Sequence, residues 1–357
     1  MTKFEVIRTN SPKTKPTDES KLGFGKVFSD HMFVMDYNRE QGWHNGRVEP
    51  YGPISIDPAA VVFHYGQELF EGLKAYKAAD GRVLLFRPID NIRRMNDTCD
   101  RICVPRIDEQ LALDAIKAAV DADRDWIPTT PGTSLYIRPF IIGTQPFLGV
   151  HPSNEYKLII ILAPSGHYYP NGLSPTKIFV EDKYVRAVIG GTGNTKIGAN
   201  YAISLKAQME AEEKGYNQVL WLDGIERKYV EEIGTSNAFF MIDGMVITSP
   251  LLGTILPGVT RRTVIQVLKD NGIPVEERRL SIDEVIEAQK SGRLNEVFAS
   301  GTAAVISPVG QISYKGEIYV VNNNQIGPVS QMLYDTITKI QRGDLPDTHG
   351  WTIELDK

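Results

Sequence analysis

The chain has 357 residues, more than one ordinary hydrophobic core organises, so two domains are expected. Hydrophobic residues make up 42% and charged residues 23% of it, as in soluble globular proteins. The formal net charge of −5 argues against a general nucleic-acid binder. No apolar run approaches the roughly 20 residues that span a bilayer, and the N-terminus lacks an apolar signal core. These features predict a cytoplasmic protein.

The first half of the chain predicts alternating strands and helices. Residues 1–22 are polar and are expected to be flexible. The stretch LFEGLKAYKAADGRVLLF predicts two strands joined by a turn at Asp80 and Gly81. A helix follows with Pro88 near its start, and a second helix has Asp108 as its expected N-cap. Two further strands are predicted in SLYIRPFIIG and YKLIIILAP.

A segment rich in Gly, Pro, Ser and Asn, SGHYYPNGLSPTK, lies at 165–177 and predicts an interdomain linker. It separates a smaller N-terminal α/β domain, 1–164, from a larger C-terminal domain, 178–357. The second domain contains a predicted helix closed by Gly215, several strands, a helix that begins near Gly258 and a final helix. Strands and helices in both halves predict a mixed α/β (α+β) class and not one doubly wound sheet.

The two cysteines, Cys99 and Cys103, are four residues apart in DNIRRMNDTCDRICVP. That spacing places both on one helical face together with Ile92 and either Met95 or Asn96. A metal site needs further ligands, and no histidine or acid cluster supplies them. The interpretation is therefore a pair of reduced core thiols and no bound metal.

The stretch GGTGNTKIGANY, residues 190–201, places Lys196 among four glycines. A Walker A loop requires a glycine before the lysine and a Ser or Thr after it, but Thr195 and Ile197 occupy those positions. The dinucleotide pattern also fails, because Lys196 stands where its third glycine belongs. Two interpretations stay open at this point: a plain glycine-rich turn, or a lysine presented to a flat ligand.

If the ligand were pyridoxal 5′-phosphate (PLP), the lysine would need three kinds of partner elsewhere. A carboxylate must hold the pyridine nitrogen protonated, and KYVEEIGTSN offers Glu231 and Glu232. On a strand these two face opposite sides, so one is expected inward and the other solvated. A phosphate site is best made from a helix N-terminus and an arginine, as offered by PGVTRR with Arg93 or Arg94. The segment SGTAA adds small residues and Thr302.

Together and in this order, these segments resemble the branched-chain amino acid aminotransferases, PLP enzymes of the two-domain fold type IV (D-amino acid aminotransferase-like). The resemblance covers nearly the whole chain, from FGKVFSDHM to the final helix. The segments that carry it are HYGQELFEGLKAY, NIRRM, SLYIRP, GNTKIGANY, EEIGTSN, ILPGVTR and SGTAA.

The resemblance implies a role for each cofactor-binding residue. Lys196 corresponds to the Schiff-base lysine, and it also serves as the catalytic acid and base. Glu232 corresponds to the partner of the pyridine nitrogen, with Thr235 nearby, and Tyr201 faces the ring O3′. The implied phosphate contacts are Arg94 rather than Arg93, the backbone N–H groups of Val259 and Thr260, and Thr302.

The resemblance also implies a substrate pocket, formed mainly by the first half of the chain. Its implied members are Phe24, Tyr65, Phe70, Tyr136, Arg138, Val150, Tyr168, Ala303 and Ala304, with Val150 a candidate for contribution across a dimer. The alanines would offer backbone N–H groups to the substrate α-carboxylate. Aromatic walls suit an aliphatic side chain, whereas Arg138 suits the side-chain carboxylate of glutamate.

The implied activity is transfer of the amino group between L-Leu, L-Ile or L-Val and 2-oxoglutarate by a ping-pong mechanism, in a homodimer. The alternatives are a D-amino acid aminotransferase, an aminodeoxychorismate lyase or a non-catalytic phosphate- or nucleotide-binding module. Mammalian members carry a Cys-x-x-Cys pair where this chain has Ala304 and Ser307. A thiol redox switch is therefore not expected at that position.

Overall fold

The structure is a computed structural model that describes residues 2–166 and 172–356. The chain folds into two compact units. The first comprises Met1–Tyr168, Lys196–Gly198 and Lys339–Lys357, and the second comprises Tyr169–Thr195 and Ala199–Thr338. Three residues of the glycine-rich segment thus fold with the first unit. Of the predicted linker 165–177, residues 167–171 lie outside the described part of the chain.

The helices and strands follow one another in a mixed order. Up to residue 165 they are β1 (Glu5–Val6), β2 (His31–Asn38), β3 (Gly42–Pro50), α1 (Val61–Tyr65), β4 (Glu68–Phe70), β5 (Leu73–Lys77), β6 (Val83–Phe86), α2 (Pro88–Arg101), α3 (Glu109–Ala122), β7 (Ser134–Gly143) and β8 (Glu155–Ser165). Beyond the linker they are β9 (Thr176–Glu181), α4 (Ala199–Ala202), α5 (Leu205–Glu213), β10 (Gln218–Leu222), β11 (Val230–Ile233), β12 (Ser236–Ile242), β13 (Met245–Thr248), α6 (Val259–Asp270), β14 (Val275–Glu277), α7 (Ile282–Lys290), β15 (Leu294–Gly301), β16 (Val305–Tyr314), β17 (Glu317–Val320), α8 (Pro328–Arg342) and β18 (Thr352–Glu354).

The first unit is built on one sheet with the strand order β1-β3-β2-β8-β7-β5-β6-β18, and β4 also pairs with β7. Because successive side chains of a strand point to opposite faces, β7 serves both faces of this sheet. Its Leu135 and Ile137 are fully buried and belong to the main core, which also contains side chains of α2 and α3. Tyr136 and Arg138 therefore project from the other face.

The second unit has a sheet with the strand order β11-β10-β9-β16-β15-β12-β13-β14. Strand β11 also pairs with β12, so six of these strands close into a ring. Closure leaves β11, which carries Glu231 and Glu232, hydrogen-bonded on both sides. The core of the second unit contains side chains of these strands and of α7, such as Ile282 and Val285. A strand held on both sides fixes the direction of both glutamate side chains.

Most of the predicted elements are present. The hairpin turn at Asp80 and Gly81, the start of α2 at Pro88 and the Asp108 cap of α3 are confirmed, and Asp108 accepts a hydrogen bond from the Leu111 N–H. The single helix predicted before Gly215 is in fact two, α4 and α5. The mixed α/β class is confirmed.

Two predictions were wrong. Cys99 is buried on α2, but α2 ends at Arg101, so Cys103 lies beyond it with a positive φ of 58° and an exposed side chain. The predicted shared helical face fails because the helix ends too early. The N-terminal segment is also not free of contacts, since β1 pairs in parallel with β3 and the Glu19 carboxylate accepts hydrogen bonds from the N–H groups of Thr129 and Thr130.

Across the described residues, no helix is both long and apolar enough to cross a membrane. The same part of the chain holds no cluster of three or more His, Cys, Asp or Glu side chains arranged to bind a metal ion.

Candidate functional site

Lys196 is fixed to the first unit by its neighbours on both sides. Ile197 is buried in the main core of that unit. The Lys196 N–H donates to Thr98 Oγ1 at 3.1 Å, and its carbonyl accepts from the Phe70 N–H at 3.0 Å. The Gly198 N–H donates to the Glu68 carboxylate. These contacts hold the backbone beside β4 and leave Lys196 Nζ 4.9 Å from the centroid of the Phe70 ring.

The glycines before Lys196 have a structural role in the second unit. A Cβ at Gly193 would collide with the Thr254 carbonyl oxygen and would lie 2.5 Å from the Ala187 Cβ. Gly190 has open space around it but a φ of +80°, which L side chains rarely adopt. At Gly193 the absent side chain therefore makes room for protein backbone.

Arg94 is buried on α2 and forms a two-pronged ion pair with Glu71. Arg94 Nε and Nη2 donate to the two Glu71 carboxylate oxygens at 2.8 and 2.9 Å, and Asn91 Nδ2 adds a third bond at 2.8 Å. Burial opposes ionisation of Glu71, but the charge and hydrogen bonds of Arg94, with the charge of Lys196, hold its pKa below the usual value. Arg93 is exposed and pairs with Glu109 instead.

The open face of the first sheet gathers four of the predicted substrate residues. The Phe24 and Tyr136 rings meet edge to face with centroids 4.9 Å apart. The Arg138 guanidinium carbon lies 4.8 Å from the Phe70 ring centroid and 5.3 Å from that of Tyr136. Arg138 Nη2 donates to Tyr136 Oη at 3.3 Å, and its buried Nε has no hydrogen-bond partner among the described residues. The result is an aromatic wall that carries one guanidinium group.

The other predicted substrate residues of the first unit lie elsewhere or outside the described residues. Tyr65 is partly exposed at the end of α1, and its hydroxyl donates to the Leu148 carbonyl. Val150 follows in an irregular segment and is 84% exposed, so it packs against little of its own chain. Tyr168 lies outside the part of the chain that the structure describes.

In the second unit, Glu232 is buried and held by three groups. Its Oε1 accepts from the Leu256 N–H at 3.0 Å and from Asn237 Nδ2 at 3.3 Å. Its Oε2 lies 3.2 Å from Nε of the buried Arg186. The Arg186 Nη2 is directed to backbone, since it donates to the carbonyls of Gly193 and Thr254. The positive charge of Arg186 thus lies beside the carboxyl group that the sequence predicts as the partner of the pyridine nitrogen.

Glu231 was expected to be the solvated member of the pair, and that expectation was wrong. It faces the other side of β11, but it is only 7% exposed. Thr254 Oγ1 donates to Glu231 Oε1 at 2.5 Å. Burial raises the pKa of Glu231 despite that bond and the charge of Arg186. Both glutamates are buried because this sheet is covered on both sides of β11.

Tyr201 and Thr235 line one small cavity together with Glu232, Arg186 and Leu256. Its volume is about 10 Å³, close to the space of one water molecule. Tyr201 lies on α4, and Thr235 lies in the exposed turn between β11 and β12. Three of the residues predicted from sequence thus meet within the second unit.

The start of α6 is suited to an anion. Its N-cap is Gly258, which makes no side-chain cap, so the first N–H groups of the helix, at Val259 and Thr260, are not capped by a side chain. A Cβ at Gly258 would collide with Asn237 Oδ1. Asn237 thereby connects this helix start to Glu232, to which its amide donates.

Thr302, Ala303 and Ala304 form the turn between β15 and β16. The preceding Ser300 has a buried hydroxyl with no hydrogen-bond partner among the described residues. A Cβ at Gly301 would lie 2.9 Å from Ser236 Oγ, so the end of β15 passes close to the start of β12. A buried unpartnered hydroxyl beside a turn of small residues fits contact with a polar ligand.

Each unit contains groups of the kinds that PLP requires: the first unit a lysine, and the second unit a buried carboxylate beside a guanidinium, a helix start without a side-chain cap and hydroxyl groups. Residues 68–312 match the family described as Amino-transferase class IV. The chain belongs to this family. Class IV aminotransferases use PLP, so this aminotransferase is a PLP-dependent enzyme of fold type IV.

Two further comparisons agree with that assignment. This aminotransferase is 56% identical to Branched-chain-amino-acid aminotransferase 2 of Bacillus subtilis, over 99% of this chain and 97% of that protein. It resembles the crystal structure of the Escherichia coli branched-chain amino acid aminotransferase with a TM-score of 0.77 and 26% identity, over 92% of this chain and 99% of that one. The T.th. enzyme of the same name, complexed with N-(5′-phosphopyridoxyl)-L-glutamate, gives a TM-score of 0.74 at 26% identity, over 91% of this chain and 98% of that one.

Sequence reasoning missed three residues of this class IV aminotransferase: Glu71, Arg186 and Asn237. Glu71 had a visible signal, because an acid in the apolar run LFEGL must be paired if that run is buried. Asn237 lies within the quoted segment EEIGTSN but received no role. Arg186 in YVRAV has no local pattern that sets it apart from a surface arginine.

Proposed function

We propose that this aminotransferase moves the amino group between L-leucine, L-isoleucine or L-valine and 2-oxoglutarate by a ping-pong reaction. We also propose that it acts as a homodimer in the cytoplasm. The names of the relatives that it matches over nearly their whole length support the substrate class. The roles given to individual residues in this reaction are part of the same proposal.

The observation that carries this proposal is the wall of Phe24, Phe70, Tyr136 and Arg138. Aromatic rings bury an aliphatic side chain favourably, at about 25 cal/mol per Å² of apolar surface. A guanidinium lying on those rings supplies a charged partner for a carboxylate on the same surface. One pocket with both properties suits an enzyme whose two amino acid substrates differ in this way.

The proposed chemistry depends on Lys196. Bound PLP supplies an electron-accepting ring conjugated with the substrate Cα. Lys196 Nζ would accept the proton from that Cα and later release it, which is general acid–base catalysis by one group. The hydrogen bonds of Lys196 to Thr98 and Phe70 fix the backbone from which the amine acts. The aromatic surface of Phe70 beside Nζ excludes water from one side of the amine.

Other residues bind and orient the two reactants. Glu232, with Arg186 beside it, would hold the proton on the pyridine nitrogen, and the Tyr201 hydroxyl would donate to the ring oxygen. The proposed phosphate contacts are Arg94, Thr302 and the N–H groups of Val259 and Thr260, with Thr235 close to the ring. The proposed contacts of the substrate α-carboxylate are the N–H groups of Ala303 and Ala304. Tyr65, Tyr168 and Val150 would complete the side-chain pocket, with Val150 supplied by the partner subunit.

A substrate panel tests the proposed activity directly. The holoenzyme should transaminate L-leucine, L-isoleucine and L-valine with 2-oxoglutarate, as measured by steady-state glutamate release. Turnover of D-amino acids alone would contradict the proposal and would favour a D-amino acid aminotransferase.

Replacing Arg138 tests the dual pocket. Arg138→Ala should lower kcat/KM for glutamate and 2-oxoglutarate by about 10- to 100-fold, because a charged hydrogen bond contributes about 1.5–3 kcal/mol. The kcat/KM for leucine should change less. Arg93→Ala removes an exposed arginine of the same unit and serves as the control. Equal losses for glutamate and leucine would assign Arg138 a structural role.

A further inference from the structure

A second cavity lies in the second unit, on the side of β11 opposite to Glu232. Its volume is about 160 Å³, and Glu231 is part of its lining. An engineered cavity of about 150 Å³ takes up benzene, so this space suits a ligand of about six heavy atoms. Its walls include the apolar side chains of Ile225, Val230, Leu252 and Ile255 and the ring of Tyr229. None of the residues assigned to the proposed amino-transfer site lines it.

Glu231 brings an unused hydrogen-bond acceptor to this cavity. It is more than nine-tenths buried, and its Oε2 has no hydrogen-bond partner among the described residues. The other oxygen, Oε1, accepts from Thr254 Oγ1, which also lines the cavity. A buried carboxylate oxygen without a donor costs free energy, and a ligand with one N–H would remove that cost.

The charged groups around the cavity favour a cation. Its lining contains three carboxylates, those of Asp223, Glu226 and Glu231, against one guanidinium, that of Arg279. Arg279 is engaged at the rim, where it pairs with Glu226 at 2.9 Å and lies over the Tyr229 ring at 3.5 Å. Asp223 accepts backbone N–H bonds from residues 225, 226, 228 and 229. Of these three carboxylates, Glu231 has a buried oxygen with no hydrogen-bond partner among the described residues. Arg186 acts on Glu231 through space but does not line the cavity.

We propose that this cavity is a binding site for a small alkylammonium ion, whose N–H donates to Glu231 Oε2 and whose alkyl groups pack on the apolar walls. A divalent metal is not the fitting ligand, since the described residues hold no cluster of three or more metal-binding side chains. An ammonium ion with about five carbons matches the volume, the single acceptor and the net negative lining together.

The probe is N,N-dimethylpropylammonium, which has six heavy atoms and one N–H. As a tertiary amine it cannot condense with the aldehyde of the cofactor, so the holoenzyme can be used. Isothermal titration calorimetry should show saturable binding of one probe per chain. N,N-dimethylacetamide, which also has six heavy atoms but neither charge nor N–H, should bind at least about tenfold more weakly. Absence of saturable binding, or equal binding of the neutral compound, would overturn the proposal.

Three variants locate the binding. Glu231→Gln keeps the shape and the acceptor for Thr254 and should weaken probe binding by about tenfold or more. Glu226→Gln removes a rim charge that Arg279 already engages and should change binding by less than about threefold. Ile189→Trp adds bulk at a side chain of the rim that is 65% exposed, so it should block entry without disturbing the core. Unchanged binding in both Glu231→Gln and Ile189→Trp would mean that the measured heat comes from binding at another site. A loss of affinity in Glu226→Gln equal to that in Glu231→Gln would mean the same.

Discussion

Among the described residues, each unit contains a buried arginine paired with a buried glutamate, Arg94 with Glu71 and Arg186 with Glu232, but the two pairs are built differently. In the first unit Arg94 uses two guanidinium nitrogens on Glu71, at 2.8 and 2.9 Å. In the second unit Arg186 approaches Glu232 at 3.2 Å through one nitrogen and donates another to backbone carbonyls. The roles are also exchanged, because the arginine is the proposed ligand-binding member of the first pair and the glutamate is that of the second.

The difference teaches how a buried charge can be prepared for a ligand. Glu71 aligns Arg94 rigidly, but it also neutralises the charge that a phosphate would otherwise meet. Glu232 is held by several groups, because hydrogen bonds from Asn237 and the Leu256 N–H share that task with Arg186. In the first pair one partner fixes the position of the charge, whereas in the second pair several groups divide that task.

The largest predicted effect concerns the coupling within each pair. Removing one partner of a buried ion pair destabilises a protein by about 3–5 kcal/mol, so Glu71→Gln and Arg186→Gln should each show losses of that order. The coupling energy from a double-mutant cycle should be larger for Glu71 and Arg94 than for Arg186 and Glu232, because the first pair shares two direct hydrogen bonds. Urea unfolding of the enzyme stripped of cofactor gives these values without a contribution from ligand binding.

The same cycle can contradict the comparison. Equal coupling energies in the two pairs would mean that Arg186 depends on Glu232 as strongly as Arg94 depends on Glu71, despite the hydrogen bonds of Arg186 to backbone carbonyls. Arg93→Gln, which breaks an exposed pair with Glu109, serves as the control and should change stability by less than about 1 kcal/mol.

The next effect distinguishes two glycines of the segment before Lys196. Gly193→Ala should destabilise the enzyme by about 3 kcal/mol, since the new methyl group meets the Thr254 carbonyl and the Ala187 Cβ, neither of which can move aside easily. Gly190→Ala has space and should cost only about 1 kcal/mol for its positive φ. Thermal unfolding of both variants ranks them, and the reverse order would show that backbone conformation outweighs crowding here.

The smallest predicted effect is the pH dependence of stability, which should have opposite signs at two buried carboxyl groups. The pKa of Glu71 is lowered by Arg94, so its contribution is present above the unfolded value of about 4.3 and is lost as pH falls through the folded pKa. The pKa of Glu231 is raised by burial, so its contribution falls as pH rises from about 4.3 through the folded pKa.

Urea midpoints at a series of pH values from about 4 to about 7 test both signs. Relative to the parent enzyme, Glu71→Gln should lose part of the rise in stability with pH, whereas Glu231→Gln should gain stability toward neutral pH. The same direction of change in both variants would refute the assigned environments.

Much of the fold followed from local pattern. The caps and turns at Pro88, Asp108 and Asp80-Gly81 could be predicted because each depends on a few adjacent residues. The failures were of a different kind. Burial of Glu231 depends on what covers the far side of β11, and exposure of Cys103 depends on where α2 stops, and neither is encoded within a few residues.

The residues assigned to the site were found largely through the family resemblance, and their roles stay proposals. From the residues alone, Lys196 could equally have belonged to a plain turn. Its anchoring to Phe70, Thr98 and Glu68 joins positions about 100 or more residues apart in sequence. Arg186 was missed because a long-range ion pair leaves no periodic trace in a sequence, whereas Glu71 was missed although an acid within an apolar run was a visible signal.

The position of the three residues Lys196–Gly198 limits where this enzyme can be cut or recombined. They are encoded between two stretches of the second unit, yet Ile197 fills part of the first unit's core. A gene fragment that ends at residue 166 would lack both Ile197 and the closing strand β18. Chimaeras between relatives that exchange the first unit, which carries the proposed substrate wall, would therefore need four coordinated crossovers instead of one. Recombination at the predicted linker would separate Lys196 from the surroundings that anchor it.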